Sequence, residues 1–589
     1  MNFVFLDDID DTVKVDLQVL KRDSQRNSIL LYQHEGTLVA NNARIGNADD
    51  VTVKLRAFFI LAKERNVDLA LTPEYSCPIN IVEEIISDPQ KWPGHSKLWA
   101  LGCESVTKAQ LAAFREKFNS PSIKLHFEEA LLEHQNNYFD PLIYLFTSMT
   151  GNVTSLVVII QFKTMHMGVW SGGIVERNNL ICGNSIYILR NSPDSIRFMT
   201  LICSEAMNFE DNLQPQVRQT LMWTDLPYLV FNPQLNPAPT NSRFTDFRKF
   251  IFQSNNKEII SLNWNNRSTI GNGKMITDGS SRSGIYIKSD EINTKDYARI
   301  KKNHALGLYY FNMAIHKHAF TCNSTIHAFI IVTPPVSIIN ALPVQSRRDG
   351  PEAVAIFSFD DAGVLTEQTD ADDEHIAFLG SLGCANPFMQ GPDNCIIEKE
   401  RLVCISSGEL AQGADPAWYL LDNLRSVRLD DTTEIYKRIT VPEDISQESL
   451  AQKRIYIRAI NELNNILARK EIYPDSIAIL KDIDVVLGYS QKIQPDGKKK
   501  VFLDKYKYNL TTIDNEAITA TVCFLDHPMP WEVNEKFDLL QSFFEYNDNG
   551  RGTVVIFYRI NNDIFVRSDQ TAGKISNTDN YHGPSILKD

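Results

Sequence analysis

Residues 196–209 read IRFMTLICSEAMNF. The first eight, Ile196–Cys203, form an apolar run of strand length, and the run stops at a thiol followed at once by Ser204 and Glu205. A reactive group placed directly after a buried strand is the arrangement of an α/β sheet, where functional residues gather beyond the carboxyl ends of strands. Working outward from it, two more stretches have the same form. DLALTPEYSCP (68–78) is a short apolar run that leads into Glu74, and SLVVIIQFKTMHMG (155–168) is one that stops at Lys163.

Other candidate elements extend this alternation. SILLYQ (28–33) predicts a strand, and 49–66 predicts a helix from its apolar spacing and acidic start. Strands follow at 229–232, 258–264, 284–287, 307–311 and 327–332, with a helix at 243–256. The first half therefore reads as α/β. Breakers cluster in 334–350 (Pro-Pro, Leu-Pro, Arg-Arg-Asp-Gly), which sets a domain boundary near residue 340. The expected organisation is an N-terminal extension at 1–27, a first domain at 28–340 and a C-terminal domain at 341–589, α+β or α/β in class. The last contains an amphipathic helix near 447–471, with a stripe of Leu450, Ile455, Ile457, Ile460, Leu463 and Ile466 or Leu467, and a hairpin at 553–567 around Asn-Asn-Asp.

Composition narrows the function classes. The 589 residues exceed what one core usually fills, so at least two domains are expected. The net charge of −14 argues against a dedicated nucleic-acid binder. No apolar run approaches the ~20 residues of a membrane span, and the acidic N-terminus lacks the form of a secretory signal. Nine cysteines are scattered singly without a CxxC pair, which points to free thiols in a reducing, cytoplasmic setting and to no zinc site.

A thiol, an ammonium and a carboxylate at three strand ends make a coherent covalent site. The thiolate is a strong nucleophile, a cation favours it and steadies an oxyanion, and a carboxylate carries a proton. With these residues in the order Glu74, Lys163, Cys203, the chain resembles the nitrilase (carbon–nitrogen hydrolase) superfamily in LALTPE, VVIIQFK and LICSE. The acidic Glu205 stands two positions after the cysteine, as the family has it. The resemblance covers about 28–335 and implies an αββα sandwich. It implies Cys203 as nucleophile, Glu74 as proton carrier, Lys163 with the Ser204 backbone N–H as oxyanion donors, and no metal or organic cofactor. It also implies a second glutamate supporting the lysine, for which Glu176 is the candidate. The implied substrate is a small non-peptide amide or nitrile, and the implied assembly a homo-oligomer, dimer or higher. Leu221, Met222 and Trp223 are candidates for that interface. His166 lies three residues after Lys163 where the family histidine lies two after, and an insertion near 105–150, helical in texture, lengthens the interval between Glu74 and Lys163.

The alternative is an interaction or scaffold protein, of the kind found in bacterial antiviral defence, with the triad as sensor or relic and 341–589 contacting a protein partner. The remaining motifs read as ordinary structure. Ser171-Gly172-Gly173 is a turn, and Asp360-Asp361 opens an acidic loop running to Glu374. His316 and His318 share a strand face, and Lys498–Lys500 forms a solvated turn.

Overall fold

The computed structural model describes residues 1–589 apart from 23–25, 135–136, 152, 168–170, 272, 278, 290–296, 315, 334–349, 361, 370, 372, 390–395, 410–437, 440, 442–443, 490–507, 515–516, 519, 548–552 and 569–589. The expected boundary at 340 and the lysine turn at 498–500 lie outside the described residues. The chain is α/β and divides into two compact units.

The first unit comprises Met1–Asn293, Leu306–Tyr310 and Ile315–Asp370. A nine-stranded sheet runs in the spatial order Leu365–Gln368, Glu352–Phe359, Ala328–Thr333, Asn27–Tyr32, Leu69–Cys77, Leu98–Cys103, Pro141–Thr150, Val153–Phe162 and Ile123–His126. A second sheet includes, in spatial order, Asn2–Phe5, Ser185–Arg190, Arg197–Thr200, Tyr228–Pro233, Lys257–Leu262, Gly284–Lys288 and Lys317–Cys322. The sheets face each other. Gln161 of the first donates to the Thr200 carbonyl of the second at 3.0 Å and accepts from Tyr187 N–H at 3.1 Å, and the Tyr144 and Phe198 rings meet edge-on at 6.1 Å.

Helices cover the outer faces, which completes the sandwich. Thr52–Glu64 buries Leu55, Phe58, Phe59 and Ala62, at helical spacing, and leaves Val53 and Ile60 in solvent. Phe59 stacks on Trp99 at 5.0 Å, and burying such a side chain is worth roughly 1.5–3 kcal/mol. Over the other sheet, Phe209 contacts Trp223, Phe247 and Phe250 edge-on. Leu221 and Trp223 are thus core residues and only Met222 is exposed, so the expected interface trio is mostly interior.

Two expected borders differ. Residues 1–27 are not a separate extension, since Asn2–Phe5 pairs in parallel with Ser185–Arg190. At the other end, Glu352–Phe359 pairs with Ala328–Thr333 and then with Leu365–Gln368, so the first unit continues past 340. Asp360 closes that hairpin by accepting the N–H groups of Ala362 and Val364 at 2.9 Å. The insertion near 105–150 is only partly helical. Lys108–Lys117 is a helix, whereas Pro141–Thr150 is a sheet strand paired on both edges.

The second unit comprises Thr294–Ala305, Phe311–Ala314 and Ala371–Asp589. Ala520–Asp526 pairs in parallel with Thr553–Ile560 across the helix Pro530–Asn547, a βαβ arrangement, and Asp563–Ser568 adds the hairpin. The turn places Asn561 at φ 56°, a conformation asparagine tolerates. The helix Gln447–Ala468 packs on Ala520–Asp526 through Tyr456, Ile457, Ile460, Leu463, Ile466 and Leu467. Ile455, expected in that stripe, is 54% exposed because Tyr456 holds the inward position. Among the described residues no helix is long and apolar enough to cross a membrane, and the eight described cysteines are free thiols.

Candidate active site

The strand Leu69–Cys77 is buried along its whole length, yet its ladder with Leu98–Cys103 shifts register between Thr72 and Cys77. That irregularity turns Glu74 inward, and the next residue, Tyr75, takes φ 58°. The close approach depends on Gly102. A Cβ there would sit 2.2 Å from the Pro73 carbonyl oxygen and 2.8 Å from Glu74 Cα. Trp264 Nε1 donates to the Glu74 carbonyl at 2.7 Å and fixes the strand from the other side.

Lys163 follows the strand Val153–Phe162, and its backbone N–H donates to the Asp140 carbonyl at 3.0 Å. Its Nζ donates to Glu74 Oε1 at 2.6 Å and to Glu176 Oε1 at 2.9 Å, with Asp140 Oδ2 at 3.6 Å. All four side chains are at most 1% exposed. Glu176 also accepts from Tyr75 Oη at 2.7 Å and from Met167 N–H. The helix carrying it, Ser171–Asn179, begins at Ser171-Gly172-Gly173, where the sequence suggested only a turn, and Glu176's bonds to Lys163 and Met167 tie that helix to the site.

Cys203 opens the 3₁₀ turn Cys203–Asn208 just beyond the strand Arg197–Thr200, at φ 44°. A non-glycine residue held there stores of order 1–3 kcal/mol, which the surroundings must supply. Asn232 Nδ2 donates to the Leu201 carbonyl at 2.6 Å and to the Cys203 carbonyl at 3.4 Å. Glu205 Oε2 accepts from Ile202 N–H at 2.6 Å, and its Oε1 accepts from Thr164 N–H at 2.6 Å and Thr164 Oγ1 at 2.8 Å. One carboxylate thereby ties the cysteine turn to the residue after Lys163. Ser204 Oγ donates to the carbonyls of Met165 and His166 at 3.4 Å. His166 itself bonds Met167 and stands apart from the cluster.

Glu74 and Lys163 are bonded to each other, and both charges act on the Cys203 thiol. Burial alone would lower Lys163, but Glu176, Glu74 and Asp140 hold it well above the usual lysine range. Burial raises Glu74, partly offset by Lys163 and reinforced by Glu176. Burial and the Glu74 charge push the Cys203 thiol well up, with Lys163 and the Leu235 N–H pulling the other way. The resting sulfur is therefore a protonated thiol beside a carboxylate. Leu235 N–H also donates to Glu74 Oε2 at 2.7 Å, so both Glu74 oxygens have donors.

Sequence reasoning missed Asp140 and Tyr75. The signal for Asp140 was the hairpin centred on Gly151, at φ 62°. Pairing Thr150 with Val153 and counting back to Pro141 and Phe162 sets Asp140 beside Lys163.

No family model matches the chain, and no curated protein matches it. Among solved structures, it is similar to an amidase from Nesterenkonia sp. AN1. One form, the amidase after removal of its His-tag by thrombin, is 13% identical over 44% of this chain and 84% of that one, at a TM-score of 0.24. A cysteine-to-serine mutant, described as being from the nitrilase superfamily, gives 13%, 44%, 83% and 0.24. A glutamate-to-glutamine mutant carrying acrylamide added at the active-site cysteine gives 13%, 44%, 84% and 0.24. Similarity at this level leaves the chemistry to be argued from the chain's own geometry.

Proposed function

We propose that this protein is a carbon–nitrogen hydrolase acting on small non-peptide amides or nitriles through a thioester at Cys203. The observation that carries the reading is the meeting of three strand-end groups in one dry cluster, with Lys163 2.6 Å from Glu74 and the Cys203 thiol under the influence of both. Cys203 attacks the amide carbonyl carbon while Glu74 takes the thiol proton. The developing oxyanion is met by the Lys163 ammonium and the Ser204 backbone N–H. Collapse breaks the carbon–nitrogen bond, and Glu74 returns the proton to the leaving amine. Water, giving its proton to Glu74, then attacks the thioester and releases acid and thiol. A thiol that rests protonated suits this scheme, since the base acts in the same step as the attack.

Glu205 and Glu176 serve as supports in this reading. The first fixes the strained turn that presents the sulfur, and the second orients the ammonium. The test is ammonia release from a panel of short aliphatic amides and nitriles, together with intact-mass detection of acylated protein. A mass increment lost in Cys203→Ala supports the reading, and turnover undiminished in that variant assigns the activity elsewhere.

A second reading, an interaction protein with a relic triad, draws on the burial of Cys203 at 3% exposure. It expects no acylated species with any substrate of the panel.

A further inference from the structure

The cluster around Lys163 holds more carboxyl groups than one ammonium balances. Oxygens of Glu74, Asp140 and Glu176 lie within 4.8 Å of one another, all buried. Three ionised carboxylates and one cation would leave two uncompensated charges in a dry interior, where each is costly. Other titratable groups lie in or beside the cluster. Tyr75 and Tyr138 are phenols that burial keeps neutral, and the thiols of Cys103, Cys182 and Cys203 are likewise held protonated by burial. None of these supplies a positive charge.

The geometry of Asp140 indicates where a proton goes. One of its carboxyl oxygens lies within 4.8 Å of one of Glu74's, and two buried carboxyl groups that close share a hydrogen bond only when one of them carries a proton. Glu74 already receives donors on both oxygens, from Lys163 at 2.6 Å and Leu235 at 2.7 Å, which favours its ionised form. Asp140 Oδ2 stands 3.6 Å from the Lys163 ammonium and receives no hydrogen bond among the described residues. The better-supplied carboxyl keeps the charge and the poorer one keeps the proton. Burial and the neighbouring Glu74 charge raise Asp140 well above the usual aspartate range, in the same sense.

We infer that Asp140 is a positioning residue that shares one proton with Glu74, donating it in the resting site so that Glu74 stands ionised as the base for the Cys203 thiol. This rests on the reading of Cys203 as nucleophile. It adds that the site titrates as a pair: loss of the shared proton at high pH sets a second negative charge near the sulfur and opposes its ionisation.

The test compares Asp140→Asn and Asp140→Ala with the natural chain. The asparagine keeps a donor toward Glu74 without a titratable proton, and the alanine keeps neither. The first readout is the infrared difference spectrum at pH 7, natural chain minus Asp140→Asn. A protonated-carboxyl band in it is expected, and its absence overturns the inference whatever the enzyme's activity. The second is the rate of Cys203 alkylation by iodoacetamide against pH. Asp140→Ala should slow it, Asp140→Asn should recover it, and Asp140→Asn should remove the high-pH retardation, moving the upper midpoint by about one unit or more. Coincident profiles for Asp140→Asn and the natural chain, or equal losses in both folded variants, overturn the inference. A cysteine inert to iodoacetamide in all three proteins, with the infrared band present, instead counts against Cys203 as nucleophile and leaves the shared proton standing.

Discussion

Glu205 reaches from the Cys203 turn to Thr164 and takes both its backbone N–H, at 2.6 Å, and its hydroxyl, at 2.8 Å. The carboxylate thus ties the strand end that carries Cys203 to the one that carries Lys163. Its position is costly. Burial lifts it from the usual 4.5 to about 7, against the donors of Thr164 and Ile202 that pull it down. With the folded value above the unfolded one, the folded chain binds the extra proton between the two. The stability from this group is full below about 4.5 and is lost as pH rises through about 7. The span corresponds to roughly 3 kcal/mol. Glu205→Gln should remove that slope. Urea midpoints of the two proteins from pH 4.5 to 8 check this, with the natural chain gaining on the variant as pH falls. A constant difference across the range would contradict it.

Lys163 is the cation among three buried carboxyl groups. Lys163→Met should destabilise the chain by about 3–5 kcal/mol, the usual cost of removing one partner from a buried ionic cluster. The deficit should narrow in acid, as Glu74, which burial raises above the usual glutamate range, takes up a proton. Denaturation curves at pH 7 and pH 5 measure both effects, and a deficit that widens in acid would refute the account.

Cys203 adopts φ 44°, where a side chain costs of order 1–2 kcal/mol relative to glycine. Cys203→Gly and Cys203→Ala both remove the sulfur and should both abolish acylation. They should differ in stability: the glycine variant should melt higher than the alanine variant, by about 1 kcal/mol, despite glycine's greater freedom in the unfolded chain. The reverse order would mean the turn is not strained.

Gly102 passes the Glu74 strand where no other residue fits. Gly102→Ala should push Pro73 and Glu74 toward the cluster, lowering the Cys203 alkylation rate by more than tenfold while far-ultraviolet dichroism keeps its α/β form. An unchanged rate would show that the strand yields without moving the carboxylate.

The three strand-end residues were legible because each closes a buried apolar run, and such runs are visible in one dimension. Asp140 was not, because its place beside Lys163 comes from hairpin register, and PLIYLF looks alike in a buried strand or a buried helix. The border near 340 failed for a related reason. The breakers at 334–350 connect Ala328–Thr333 to Glu352–Phe359, two strands that pair with each other, and prolines interrupt a chain without telling whether a sheet resumes. Nothing in the basic and polar stretch around 294–305 announced that it belongs to the second unit.

That membership sets the last expectation. The second unit draws Thr294–Ala305 and Phe311–Ala314 from earlier in the chain, so a fragment beginning at 371 is incomplete. It lacks Lys301, whose ammonium lies 3.2 Å from the fully buried Glu398, and the Ala305 carbonyl that accepts from Ala371 N–H at 2.6 Å. It also lacks Phe311, over which the buried Arg438 guanidinium sits at 4.2 Å. Taking the partner from a buried charge usually costs about 3–5 kcal/mol, a large part of a domain's 5–15 kcal/mol of stability. A fragment of 371–589 should therefore show helix by circular dichroism but no cooperative thermal transition, whereas one beginning at 294 should unfold cooperatively. In the intact chain, Lys301→Ala should lower the unfolding midpoint of the second unit while Cys203 alkylation proceeds at its natural rate. Cooperative unfolding of the 371–589 fragment at the temperature of the longer one would show that the two earlier segments contribute nothing to its stability.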